Sequence, residues 1–247
     1  MDDLYTTLTK KASTYRYLYH YTSIDALEAI LRNGSLRLSR LDLVNDPKEN
    51  QRITSLWNSK VFVACFTNTL ENELYFFKNY GKVRIILSNN FTSPSVFFDS
   101  ELTKKIPFFK SHYNLSTNTS LNSYEQSDDW CIYDTSLADI YYTDNLCSHI
   151  SNDGKESNAG LIKVKQGFDK HNTMQNWTIE KESRLRVTVR PIGSEFVSNK
   201  TVFYYPKPFF NYLFIPIRDI IKKIEIFTEC SDVEHRQFNA IVGEYLF

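Results

Sequence analysis

An α+β fold is what this sequence predicts, on three observations. Several short stretches read as strands, among them the apolar run at residues 61–67 and the alternating run at 177–190. Amphipathic helices over residues 24–33 and 232–245 bring their own capping residues. Strands and helices do not follow a regular βαβ rhythm, so the class is α+β rather than α/β.

Taken in order, residues 1–16 read as a short leading helix or a loose arm. Residues 17–23 (YLYHYTS) form an aromatic strand that runs into a helix capped by Thr22 or Ser23, with Asp25 three residues after Thr22. Ile24, Leu27, Ile30 and Leu31 make the buried stripe, and Asn33-Gly34 is a left-handed stop. Residues 36–40 are a short strand, followed by a turn at Asn45-Asp46-Pro47 with Glu49 beyond it. The nearly apolar VFVACFT at 61–67 suits a central strand. A helix over 71–80 turns Leu74, Phe77 and Tyr80 inward and ends at Gly81; residues 82–88 and 95–98 continue the sheet.

Residues 111–129 are rich in Ser, Thr and Asn and read as a long polar loop or insertion. Residues 139–143 are a short strand, and 159–175 a strand or short helix. Aromatic strands follow at 201–205 and 212–215, a helix entry at 217–223 and a strand at 224–227. The closing helix at 232–245 is capped by Ser231-Asp232 and packs Phe238, Ile241, Val242 and Leu246. The whole of 1–247 reads as one domain.

Composition narrows the function. With 29 basic and 29 acidic residues the chain has no basic footprint for gripping duplex nucleic acid. Only 7 glycines occur, and no phosphate-cradling GxGxxG or GxxxxGK[ST] string. The four cysteines (Cys65, Cys131, Cys147, Cys230) lack CxxC spacing, so no metal site is expected and the thiols read as reduced and partly buried. Without a signal peptide or long apolar segment, the expectation is a cytoplasmic protein with no membrane partner.

The most informative stretch is WTIEKESRLRVTVR at 177–190. As a continuous strand it puts Trp177, Ile179, Leu185, Val187 and Val189 on one face. Glu180, Glu182, Arg184 and Arg186 fall on the other, as a solvated charge ladder or the floor of a polar site. In the second case the arginines hold Glu182 or Glu180 ionised, suited to stabilising developing positive charge.

Four motifs in order, Tyr19-His20-Tyr21-Thr22, Asn45-Asp46-Pro47-Lys48-Glu49, Cys65-Phe66-Thr67, and Lys170 with Trp177, Glu180, Glu182 and Arg184, resemble a bacterial domain-of-unknown-function family. That family's pattern is HYTS, NDPxE, CFS before an aromatic-rich helix, and WxxExExR. This chain departs from it at Thr67, where Ser is usual, and at Phe77, where Trp is common. The family in turn looks like the ADP-ribosyltransferase superfamily, which implies split mixed β-sheets with flanking helices.

That resemblance implies a mono-ADP-ribosyltransferase, a bacterial toxin or anti-phage effector, using NAD as substrate and no metal. Its acceptor would be a nucleic acid or a protein, with an antitoxin or chaperone as a further partner. Glu182, His20 and Glu180 would be catalytic: Glu182 stabilises the oxocarbenium-like ribose, His20 holds a ribose or the nicotinamide amide, and Glu180 orients or deprotonates the acceptor. Tyr21, Thr22, Asn45, Thr67 and Arg184 would complete the NAD site, with Phe66, Tyr75 and Tyr80 competing to stack on nicotinamide. Taken singly, His20 reads as a hydrogen-bonded structural histidine, NDPKE as a stock turn and Cys65 as an inert buried thiol. The alternative is a catalytically silent nucleotide- or partner-binding domain.

Overall fold

The computed structural model describes residues 15–44, 61–91, 95–98, 102–105, 130–144, 160–169, 171–191 and 210–246. The expectations for the leading arm, the turn at 45–49 with Asn45, the polar loop at 111–129, Lys170 and the strand at 201–205 lie outside these residues.

The aromatic strand forms as expected, as β1 (Tyr17–Thr22). It feeds α1 (Ile24–Asn33), where the Ser23 hydroxyl accepts the Ala26 N–H at 3.1 Å, so Ser23 rather than Thr22 is the cap. Gly34 takes the left-handed φ of +62° that ends the helix. Ile24, Leu27, Ile30 and Leu31 are all buried. Next come β2 (Ser35–Arg40) and β3 (Val61–Thr67), then α2 (Glu73–Tyr80) and β4 (Val83–Ser88). On α2 it is Phe76 that is buried, with its ring stacked 4.7 Å from Tyr21; Leu74 and Tyr80, expected inward, are exposed. Packing of Phe76 on Tyr21 turns the inward face of this two-turn helix one position away from the expected stripe.

β5 (Ser95–Phe98) and β6 (Leu102–Lys105) form a hairpin. A strand the sequence did not announce, β7 (Trp130–Asp139), precedes the short β8 (Tyr141–Thr143). Three more short strands are β9 (Ile162–Val164), β10 (Gln166–Phe168) and β11 (Met174–Asn176). β12 (Glu182–Pro191), β13 (Tyr212–Pro216), β14 (Ile221–Ile226) and α3 (Asp232–Leu246) complete the chain. The expected helix entry at 217–223 is a single 3-10 turn at Arg218–Ile220 that passes directly into β14. A Ser231–Glu234 capping box starts α3: Ser231 N–H donates to Glu234 at 2.9 Å, and Glu234 N–H donates to the Ser231 hydroxyl at 3.4 Å.

Ten of the strands make one antiparallel sheet, ordered β14-β4-β1-β3-β2-β13-β5-β6 with β12 and β7 attached through β3, while β8 and β9 (parallel) and β10 and β11 (antiparallel) make two small sheets of their own. The molecule is therefore α+β, built on a large antiparallel sheet with α1 and α3 against it. Leu18, Phe62, Ala64, Phe66, Ile85, Leu185 and Val187 supply the sheet's half of the core, and Leu27, Phe238 and Ile241 the helices' half. Among the described residues no helix is long and apolar enough to cross a membrane.

Register shows why the sheet divides. β3 is paired with β12 along the whole of its length, from Thr67↔Glu182 to Val61↔Thr188. The other edge of β3 is shared: β1 meets it only at Tyr19↔Thr67, and β2 only at Ser39↔Val63 and Arg40↔Phe62. Between those contacts no strand of the described residues lies beside the edge of Ala64, Cys65 and Phe66, and β1 and β2 diverge as the two prongs of a fork. Helix α1, which joins them, closes the back of the fork with Ala26 and Ala29.

Gly81 ties one prong in place. Its φ is +122°, and a Cβ there would stand 2.4 Å from the carbonyl carbon and oxygen of Thr22. Gly81→Ala is expected to lower stability by about 1–3 kcal/mol through strain and displacement of β1. Chemical denaturation checks this; an unchanged midpoint would show that the end of β1 does not depend on the close approach.

Candidate active site

The site is built where β12 begins. Residues 177–180 do not continue the strand as expected; they form a 3-10 turn, Trp177–Glu180. The Asn176 side chain caps it by accepting the Thr178 N–H at 3.2 Å, and Lys181 closes it with a left-handed φ of +41°. Local capping thus overrides the alternating pattern. Trp177 leaves the main core and packs with Ile162, Val164 and Tyr142 in a small cluster of its own.

The turn brings Glu180 and Glu182 to a common cation, Lys163 of β9. Its Nζ donates to Glu180 Oε2 at 3.0 Å and Glu182 Oε2 at 3.3 Å, and lies 4.1 Å from the Trp177 ring centroid. Arg184 Nε donates to Glu182 Oε1 at 2.5 Å and Nη2 to Oε2 at 3.2 Å, while Nη1 reaches the Gly160 carbonyl at 2.9 Å. Lys163, Glu180, Glu182 and Arg184 are only 5, 4, 5 and 2% exposed. The solvated-ladder reading is therefore overturned, because β8 and β9 cover this face.

Burial disfavours the charged form of both acids, yet they separate. For Glu182 the nearby charges of Arg184 and Lys163 outweigh desolvation and hold it down to about 2. For Glu180 burial prevails over the attraction of Lys163, and the negative charge of Glu182 adds to it, so its pKa is raised. Tyr80 and Tyr75 from α2 both donate their hydroxyls to Glu180 Oε1, Tyr75 at 3.3 Å. Burial and then the charge of Glu180 push Tyr75 up to about 12, so it is a proton donor at neutral pH. The Tyr142 hydroxyl accepts the Glu182 N–H at 3.1 Å.

His20 reaches this region by a different route. Register places Tyr19, not His20, on the same sheet face as Thr67 and Glu182. His20 instead borders the fork, with its Nδ1 3.1 Å from the Cys65 carbonyl and its ring edge-on to Phe66 at 5.9 Å. A carbonyl only accepts, so Nδ1 carries the proton and Nε2 is left as an acceptor. Burial lowers the pKa of His20 and keeps the ring neutral.

One cavity of about 990 Å³ occupies the fork, at the upper end of the range of small-molecule sites. His20 and Glu182 both line it, as do Tyr21 and Thr22 from β1, Phe66 and Thr67 from β3, Tyr75 and Tyr80 from α2, and Glu180 and Arg184. Cys65, expected buried, is exposed to this cavity, because its position on β3 faces away from the helices. Its thiol is held protonated by desolvation and by the Glu182 charge. Trp177 Nε1 and Ser35 Oγ, both in the cavity wall and both buried, have no hydrogen-bond partner among the described residues. Among the described residues no group of three or more His, Cys, Asp or Glu is arranged to hold a metal ion.

Lys163 is the residue sequence reasoning missed. Its signal is a lysine embedded in an apolar run, Leu161-Ile162-Lys163-Val164, where an uncompensated charge would be costly.

The depressed pKa of Glu182 sets a pH dependence. Its folded value of about 2 lies below the usual 4.5, so its contribution is fully present above pH about 4.5 and is lost as pH falls toward 2. Thermal unfolding between pH 5 and 2.5 is expected to lose stability more steeply in the wild type than in Glu182→Gln. Parallel profiles would remove the ionised pair from the account.

Comparison of this chain with protein-family models, with curated proteins and with solved structures finds no match in any of the three.

Proposed function

We propose that the cavity binds NAD and that the protein transfers its ADP-ribose group to a nucleophilic acceptor. One observation carries this reading: a neutral histidine from the first strand and an ionised glutamate from a late strand, 162 positions apart, line the same cavity. The four sequence motifs that resemble the ADP-ribosyltransferase superfamily support the same reading, although the split mixed sheets they imply are here one antiparallel ten-stranded sheet.

In this reading the bond between ribose C1′ and the nicotinamide nitrogen breaks, and its electron pair leaves with nicotinamide. Positive charge develops on the ribose, and Glu182, negative at neutral pH and shielded from bulk water, stabilises it. A lone pair of the acceptor forms the new bond at C1′, and the acceptor's proton passes to Glu180, whose raised pKa suits a base near neutrality better than that of Glu182. His20 Nε2 accepts from a ribose hydroxyl or from the nicotinamide amide. For Glu182 to accept a ribose hydroxyl, one of its present partners yields, and the Cys65 thiol is the weakest donor among them.

A second reading is favoured by that same saturation. Glu182 already receives Arg184, Lys163 and Cys65, which suits a structural anchor in a domain that binds a nucleotide without turning it over.

Release of nicotinamide from NAD, and transfer of label from NAD to lysate acceptors, separate the two. The enzyme reading expects Glu182→Gln to lower release by about 10²–10³-fold while NAD still binds. Tight NAD binding with no nicotinamide release by the wild type would establish the second reading instead.

A further inference from the structure

The cavity has two chemically different ends. At the β12 end, the two carboxylates are met by Lys163 and Arg184. β2 lies two strand positions from β12, a lateral distance of about 10 Å before the width of the fork is added. Leu36 and Leu38 of β2 point into the core, so Ser35, Arg37 and Ser39 share the opposite face, and all three line the cavity. On the neighbouring strand β13, Tyr212 pairs with Ser39 and lines the cavity as well.

Arg37 is exposed, and among the described residues no carboxylate pairs with it. Its guanidinium stands 4.5 Å from the centroid of the Tyr212 ring. Contact with the ring limits the guanidinium's freedom but leaves its edge N–H groups unused, the fork geometry that suits a phosphate. The Ser35 hydroxyl on the same face is buried, 6% exposed, and has no partner among the described residues. A cation and a buried hydroxyl that no described residue pairs, both in one cavity wall, are satisfied together by an anionic oxygen-rich group.

We infer that this β2–β13 wall is an anion subsite that takes the 5′-diphosphate of an adenine nucleotide. The assignment rests on the NAD reading for the identity of the nucleotide. It places the diphosphate on Arg37 and Ser35, across the fork from Glu182, and it names Arg37 as the residue that distinguishes charged ligands from uncharged ones.

Calorimetric titration of the full chain with ADP and with adenosine tests this, using wild type, Arg37→Ala, Ser35→Ala and Glu182→Gln. The expected result is ADP binding at least tenfold tighter than adenosine in the wild type. Arg37→Ala should weaken ADP about tenfold or more and leave adenosine unchanged, and Ser35→Ala should weaken ADP by a smaller factor. Glu182→Gln should retain wild-type ADP affinity. Failure of the wild type to bind ADP, or equal ADP affinity in Arg37→Ala and wild type, overturns the subsite. Arg37-dependent ADP binding without any nicotinamide release from NAD supports the subsite and removes only the enzyme reading.

Discussion

Two carboxylates and two cations lie out of water in the wall of one cavity, and the surrounding structure is arranged to keep them there. Lys163 and Arg184 neutralise Glu180 and Glu182, and the remaining lone pairs and protons go to Tyr75, Tyr80, Cys65 and the Gly160 carbonyl. Taking single ions into a protein interior costs several kcal/mol each, and only near-complete pairing recovers it. Removal of one partner from such a set costs about 3–5 kcal/mol, because the others are left buried and uncompensated. β8 and β9, the 3-10 turn and the left-handed Lys181 are the local devices that hold this geometry.

The fork is the second constraint. An antiparallel strand has two edges, and β3 devotes one of them wholly to β12. The other is split between β1 and β2, leaving a stretch at Ala64–Phe66 that side chains, not another strand, must face. His20 does this directly by donating to the Cys65 carbonyl. A backbone group that would ordinarily belong to a sheet ladder therefore orients the histidine and fixes its tautomer.

Much of the fold could be read from the sequence, for identifiable reasons. The Ser23 cap, the Ile24–Leu27–Ile30–Leu31 stripe, Gly34 and the apolar Val61–Thr67 strand are local signals whose partners lie within a few residues. Less was legible where tertiary contacts decide. The WTIE segment alternates like a strand but is a turn, because Asn176 and Lys181 satisfy its backbone locally. β7 gave no clear signal, and the expected inward face of α2 at Leu74 is displaced by the packing of Phe76 on Tyr21. Of the buried cluster, Glu180, Glu182 and Arg184 stand close together in sequence and could be grouped on that basis. Lys163 sits 17 positions before Glu180 on another strand, and only packing brings it in. The opposite sheet parity of His20 and Glu182 was likewise invisible until the register of β1 against β3 was known.

Helix α1 sets the scale of the opening. It is 10 residues long, about 15 Å end to end, and it links the end of β1 to the start of β2. The connection between the prongs is thus written in the stretch between Ser23 and Gly34, whereas the acid cluster is written more than a hundred residues later. Insertion or deletion of a helical turn there would resize the opening for larger or smaller guests and leave the acid cluster's own bonds intact. Capacity and chemistry are in this sense separately inherited properties of the same chain.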